Sequence, residues 1–213
     1  MNNIQLDNYF GCPFWILQKE EYVEDILKIT DRHISEARNK NKKIFKNKSE
    51  FGISHQSGPL QLDKNLSLFT TEVGELAWNF LDFQGFDLQY HDLIFTEMWV
   101  QEFAKKAGHH DTHIHHNNHV SGFYFLKCSS KTSYPIFHDP KQSAVMTKLP
   151  LKDPTQPNFG SSSINYLPKP GTMIIFNSYM PHQFPVDFGI EPFRFIHWNI
   201  QAVPKGIMKG LTK

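Results

Sequence analysis

His113-Ile114-His115-His116-Asn117-Asn118-His119-Val120-Ser121-Gly122-Phe123-Tyr124-Phe125-Leu126 is the stretch on which the fold turns. Its second half is β-branched and aromatic, and reads as a strand of a barrel. Its first half is dense in imidazole. Of the chain's 12 histidines, His109, His110, His113, His115, His116 and His119 fall in one short segment. Residues i and i+2 of a strand share a face, so His113 and His115 aim at one point while Ile114 turns away. A histidine pair at the mouth of a barrel strand is a candidate metal site.

Downstream, short apolar runs follow at Tyr134–Phe137, Ala144–Thr147, Met173–Phe176 and Phe193–Ile200, separated by Gly, Pro, Asn and Ser. Lys152–Lys169 is rich in Pro, Ser, Gly and Asn and reads as a loop of lid length. Upstream, Leu93–Phe103 reads as a strand, and before Tyr90 the period changes. Glu20–Asn41 carries Val23, Ile26, Leu27, Ile34 and Ala37 at helical spacing. Residues 42–65 read as a loop. Thr71–Phe83 forms a second helix stopped by Gly85, and Tyr9–Ile16 an entry strand. Helices first and short strands afterwards predict an α+β chain that is mainly β. We expect one domain over 1–213: a helical support over 1–91, and a jelly-roll, cupin-like barrel over 92–203.

Composition narrows the function. Hydrophobic residues at 39% suffice for a core, and 22 Lys+Arg against 21 Asp+Glu argue against general nucleic-acid binding. The basic run Arg38–Lys43 reads as a solvated helix end. Cys12 and Cys128 make no disulfide framework. The polar start lacks a signal-peptide core, and no segment has the apolar length to span a bilayer. We expect a soluble, cytoplasmic protein, and nothing in the sequence sets an oligomeric state.

Two histidines make a weak site, so a third ligand must come from elsewhere. His182 ends the apolar run from Gly171 through Phe176 in a polar turn and is the candidate. His33, His55 and His91 read as structural or exposed; His138 and His197 lie in strands and stay open. Imidazole alone does not choose among Zn, Fe, Cu and Ni. Arg194 lies in the apolar strand Phe193-Arg194-Phe195-Ile196-His197-Trp198. A buried guanidinium requires an anion, and its planar fork suits a carboxylate. Two partners are open: an Asp or Glu of the fold, or the far end of a dicarboxylic acid chelated to the metal.

The ordered set resembles the 2-oxoglutarate/Fe(II)-dependent oxygenases of prolyl-4-hydroxylase type, most of all those of marine bacteria and their phages. It comprises Trp99-Val100-Gln101, His113-Ile114-His115, Ser121 through Phe125, Phe137-His138-Asp139-Pro140-Lys141, Gly171 through His182, and Arg194 through Asn199. The resemblance covers about residues 92–200. It implies a double-stranded β-helix with Fe(II) on His113, His115 and His182. It also implies 2-oxoglutarate held by Arg194 with Ser121 and Gln101, O2 as oxidant and ascorbate as reductant. The expected reaction hydroxylates a prolyl residue, a small metabolite or another small-molecule or protein substrate, with release of succinate and CO2. If the gene is phage-borne, the site of action is the host cytoplasm. Ser121, Phe123 and Phe125 share a face toward the cavity, and Asn117 is a candidate to orient a ligand histidine.

The departures are specific. His-x-His stands where the wider superfamily has His-x-Asp, and His109-His110-Asp111 offers a rival register. Phe125 replaces a tyrosine, Gln101 an asparagine and Lys141 an arginine. Asn199 stands one residue off the group's register. Two alternatives compete: a cupin-like metal protein without 2-oxoglutarate, which lacks its usual Glu after the histidine pair, and a non-enzymatic jelly-roll module, which leaves the His and Arg set unexplained.

Overall fold

The computed structural model describes residues 5, 7–45, 52–104, 106–141 and 149–206. After strand β1 (Phe14–Gln18) come helix α1 (Val23–Ile44), β2 (Ser54–Gln56) and helix α2 (Ser67–Phe83). Eight further described strands follow: β3 (His91–Phe103), β4 (His110–His113), β5 (Val120–Lys127), β6 (Ile136–His138), β7 (Ser163–Asn165), β8 (Thr172–Asn177), β9 (His182–Phe184) and β10 (Phe193–Pro204). They form two antiparallel sheets. One has six strands in the order β1-β8-β5-β10-β3-β2, the other four in the order β4-β9-β6-β7. The sheets enclose one core between them, a double-stranded β-helix.

Side-chain alternation divides two cores. Tyr124, Ile175, Ile196 and Trp198 face out and pack against Ile26, Ile34, Phe69 and Phe80 of α1 and α2. Phe123, Phe125, Ile174, Phe193 and Phe195 face in and meet Phe137 and Phe184 from the smaller sheet. Both helices thus lie on the outer face of the six-stranded sheet.

Gly122 matters for that packing. It pairs across the ladder with Trp198, and a Cβ on it would lie 2.2 Å from Trp198 Cζ2 and 2.8 Å from the Ile174 carbonyl. Only glycine lets the indole lie on the sheet beneath α2.

The helices run 23–44 and 67–83 instead of 20–41 and 71–83. The 1–91 segment is not purely helical support, since β1 and β2 form the two edges of the larger sheet. β2 and β7 fall inside segments that read as loops, because three residues are too few to show a usable period. The Ala144–Thr147 run lies outside the described residues. Arg38 is more than a solvated helix end: its guanidinium meets the Glu102 carboxylate. Among the described residues, no helix is long and apolar enough to cross a membrane.

Candidate metal centre

The barrel brings three of the predicted residues together. His113, at the end of β4, pairs across the ladder with His182, at the start of β9. His115 follows two residues later. The ligand-capable atoms of His113, His115 and His182 all lie within 4.8 Å of one another. The rival register does not assemble: the Asp111 side chain is 99% exposed, and it is the Asp111 backbone carbonyl that faces the cluster.

Hydrogen bonds fix which edge of two rings faces inward. His113 Nδ1 lies 2.7 Å from the Asp111 carbonyl, and His182 Nδ1 lies 2.9 Å from the Met180 carbonyl. A carbonyl can only accept, so each Nδ1 carries the proton and each Nε2 keeps a lone pair. His115 and His182 bring their Nε2 atoms to 3.3 Å. Two ring nitrogens at that distance suit a shared metal ion once it displaces the proton between them. Burial pushes His115 down to about 4 and His182 to about 3, with the neighbouring imidazoles adding to the effect. The rings are therefore neutral at ordinary pH, as ligation requires.

A carboxylate also reaches the cluster, from β3, a strand the sequence did not link to the metal. Asn199 stands in register with Glu97 on one side and Ser121 on the other. Its Nδ2 donates to Glu97 Oε2 at 2.7 Å and meets His115 Nδ1 at 3.1 Å, while Ser121 Oγ donates to its Oδ1 at 2.6 Å. Glu97, His115 and His197 likewise place ligand-capable atoms within 4.8 Å of one another. His197, 1% exposed, stacks on His115 with ring centroids 4.5 Å apart, and neither of its nitrogens has a partner. Glu97 thus brings a carboxylate close to the cluster that the stretch after His115 lacks, and as one of three acidic residues in β3 it had no signal of its own. Asn199, not Asn117, touches a ligand histidine; Asn117 is an exposed turn residue with φ 59°.

Three other expectations need correction. Arg194 faces out of the barrel. Its Nε donates to Glu102 Oε2 at 2.7 Å and its Nη1 to Asp31 Oδ1 on α1 at 2.6 Å. The fold's own acids are its partners. Ser121 is buried with its hydroxyl committed to Asn199 and Ser178, so it positions Asn199. Gln101 faces in, but its amide nitrogen bonds Ser54 and its free Oε1 is an acceptor, the wrong sign for a carboxylate. Phe123 and Phe125 do face the interior, packed among other rings.

Residues 97–189 match the model of the family described as "Putative 2OG-Fe(II) oxygenase". The barrel is similar to those of 2OG-Fe(II) oxygenases. That likeness, with the family match, supports an oxidoreductase, and the histidine cluster lies at the barrel's mouth. The viral collagen prolyl hydroxylase of Paramecium Bursaria Chlorella virus-1 is similar in structure at 13% identity and TM-score 0.53, over 89% of this chain and 96% of that one. A Pseudomonas putida prolyl-4-hydroxylase shares 13% identity at TM-score 0.51, over 88% and 92%. The epimerase SnoN from nogalamycin biosynthesis, described as non-heme and alpha-ketoglutarate-dependent, shares 12% at TM-score 0.55, over 91% and 82%. These likenesses are of fold. No curated protein matches the sequence.

Proposed function

We propose that the protein is a non-haem iron oxygenase in which His113, His115 and His182 hold Fe(II) and which oxidises a small-molecule or protein substrate. The convergence of three imidazoles at the barrel mouth carries this reading. Bound iron would supply the redox chemistry that O2 needs to oxidise a C–H bond. The chain's own residues orient the site. The Asp111 and Met180 carbonyls set two ligand rings, and Asn199 with Glu97 backs the third. A cavity of about 280 Å³ is lined by Phe137 and Met180, and the Phe137 ring lies between it and His182 at 6.0 Å by ring centroid. The likeness to prolyl hydroxylases supports a prolyl residue as a first candidate; the likeness to an epimerase keeps a small metabolite in view.

The metal fits the residues present; the far carboxylate of 2-oxoglutarate does not. The described strands carry two Lys or Arg side chains, Lys127 and Arg194, and both face Asp31 and Glu102 on the outer surface.

The test begins with anaerobic calorimetry of Fe(II) binding. O2 uptake in the presence of ascorbate follows, with mass spectrometry of candidate peptides and metabolites for products one oxygen heavier. Failure of the intact protein to bind Fe(II) would overturn the reading.

A further inference from the structure

The inner face of β10 carries Phe193, Phe195, His197 and Asn199, while Arg194 points away. An oxygenase barrel that holds a dicarboxylic acid needs a cation or a cluster of donors below the metal, because a buried, unpaired carboxylate is costly. Here the corresponding space is aromatic. Phe193 and Phe195 lie 5.3 Å apart by ring centroid, Phe184 stacks on Phe195 at 4.7 Å, and Phe125 meets both Phe193 and Phe195 at 6.1 Å. Phe125 has no hydroxyl to donate.

The other direction is no better for an anion. The polar cavity beside His115 is lined by Glu97, whose carboxylate repels a second one. A metal on three neutral imidazoles keeps its full positive charge and still attracts one carboxylate. Chelation at the metal would therefore be preserved, while among the described residues no Lys or Arg of the strands faces this space to anchor the far carboxylate.

We infer that this iron centre takes a 2-oxo monocarboxylic acid with a short, uncharged tail in place of 2-oxoglutarate. This rests on the proposed metal centre. The acid's carboxylate and keto oxygen would meet the metal, and its tail would lie against Phe123 and Phe176, whose rings flank His182 at 5.5 and 5.0 Å. The packed apolar rings below oppose a charged tail.

The experiment is anaerobic titration of the Fe(II)-loaded protein with pyruvate, 2-oxobutyrate and 2-oxoglutarate, followed by the visible charge-transfer band of a chelated oxo acid and by calorimetry. Either monoacid should bind at least about tenfold more tightly than 2-oxoglutarate. Phe193→Arg, which places a guanidinium on the inner face, should narrow or reverse that ratio. Thermal melting would establish that the variant is folded, and Phe125→Tyr gives a milder second variant with the same expected direction. Tighter binding of 2-oxoglutarate than of both monoacids would overturn the inference. So would loss of that binding in Lys141→Ala, which would place the far carboxylate on the lysine lining the cavity behind Phe137. Binding of Fe(II) without chelation of any oxo acid would also overturn it, while leaving the metal centre intact. Absence of Fe(II) binding would instead sink the proposed function.

Discussion

Arg194 and Asn199 lie on opposite faces of β10: Asn199 meets His115 inside the barrel, and Arg194 meets Asp31 of α1 outside it. Five residues separate them, and an odd separation along a regular strand reverses the face. One residue of register therefore converts a co-substrate anchor into a link between helix and sheet.

Arg194→Ala should accordingly cost stability and spare the metal. Glu102 is 1% exposed, and losing its guanidinium partner leaves it to Arg38 and Lys127. The loss should be on the order of 3 kcal/mol, read by urea denaturation. An unchanged denaturation midpoint combined with weakened Fe(II) affinity would place Arg194 at the metal after all.

The ligand assignment separates neighbouring histidines. His182→Ala and His113→Ala should each abolish Fe(II) binding or reduce it a hundredfold or more, by analogy with removing one of three protein ligands, roughly 3 kcal/mol or more. His109→Ala and Asp111→Asn should leave it within about twofold. Calorimetry with Fe(II) or Mn(II) reads both pairs, and a strong effect of Asp111→Asn would restore the rival register.

Glu97→Gln should weaken the metal site without emptying it. An outer carboxylate that sets a ligand imidazole is typically worth 10- to 100-fold in metal affinity, and Glu97 reaches His115 through Asn199. Glu97→Asp should recover part of the loss. An unaltered affinity in both variants would reduce Glu97 to packing.

The metal-free protein should lose stability in mild acid. His110, His115 and His182 are held down to about 4, 4 and 3 by burial. The unfolded chain takes up these protons near the ordinary value of about 6.5, before the folded one does. Stability is therefore fully present above about pH 6.5 and falls on acidification toward pH 4, by up to about 1.4 kcal/mol per pH unit for each histidine. Denaturation curves at pH 7 and pH 5 test this, and equal midpoints would refute it.

The candidate metal site is more legible in the sequence than its surroundings. His113 and His115 share a face by spacing alone, and His182 closes an apolar strand, so all three are legible. Their supports are not. Glu97 and Asn199 come from β3 and β10, and which of their faces turns inward depends on bulges near Arg194 and Asn199 in the β10 ladders. The same ambiguity misplaces Arg194. The long strands and both helices follow from periodicity, whereas β2, β7 and β9 are three residues each and owe their form to the neighbours they pair with.

β10 is the last described strand in the chain, yet it lies between β5 and β3 in the middle of the larger sheet. During synthesis the ribosome therefore releases β3 and β5 with open edges, and neither can complete its ladder until Phe193 to Pro204 has emerged. Such edges invite pairing with other chains, and the long loops to be closed slow folding. The site follows the same timetable. His113 and His115 are made first, but His182 and the Asn199 that backs His115 arrive only with β9 and β10. Iron can therefore be captured only once both strands have been made.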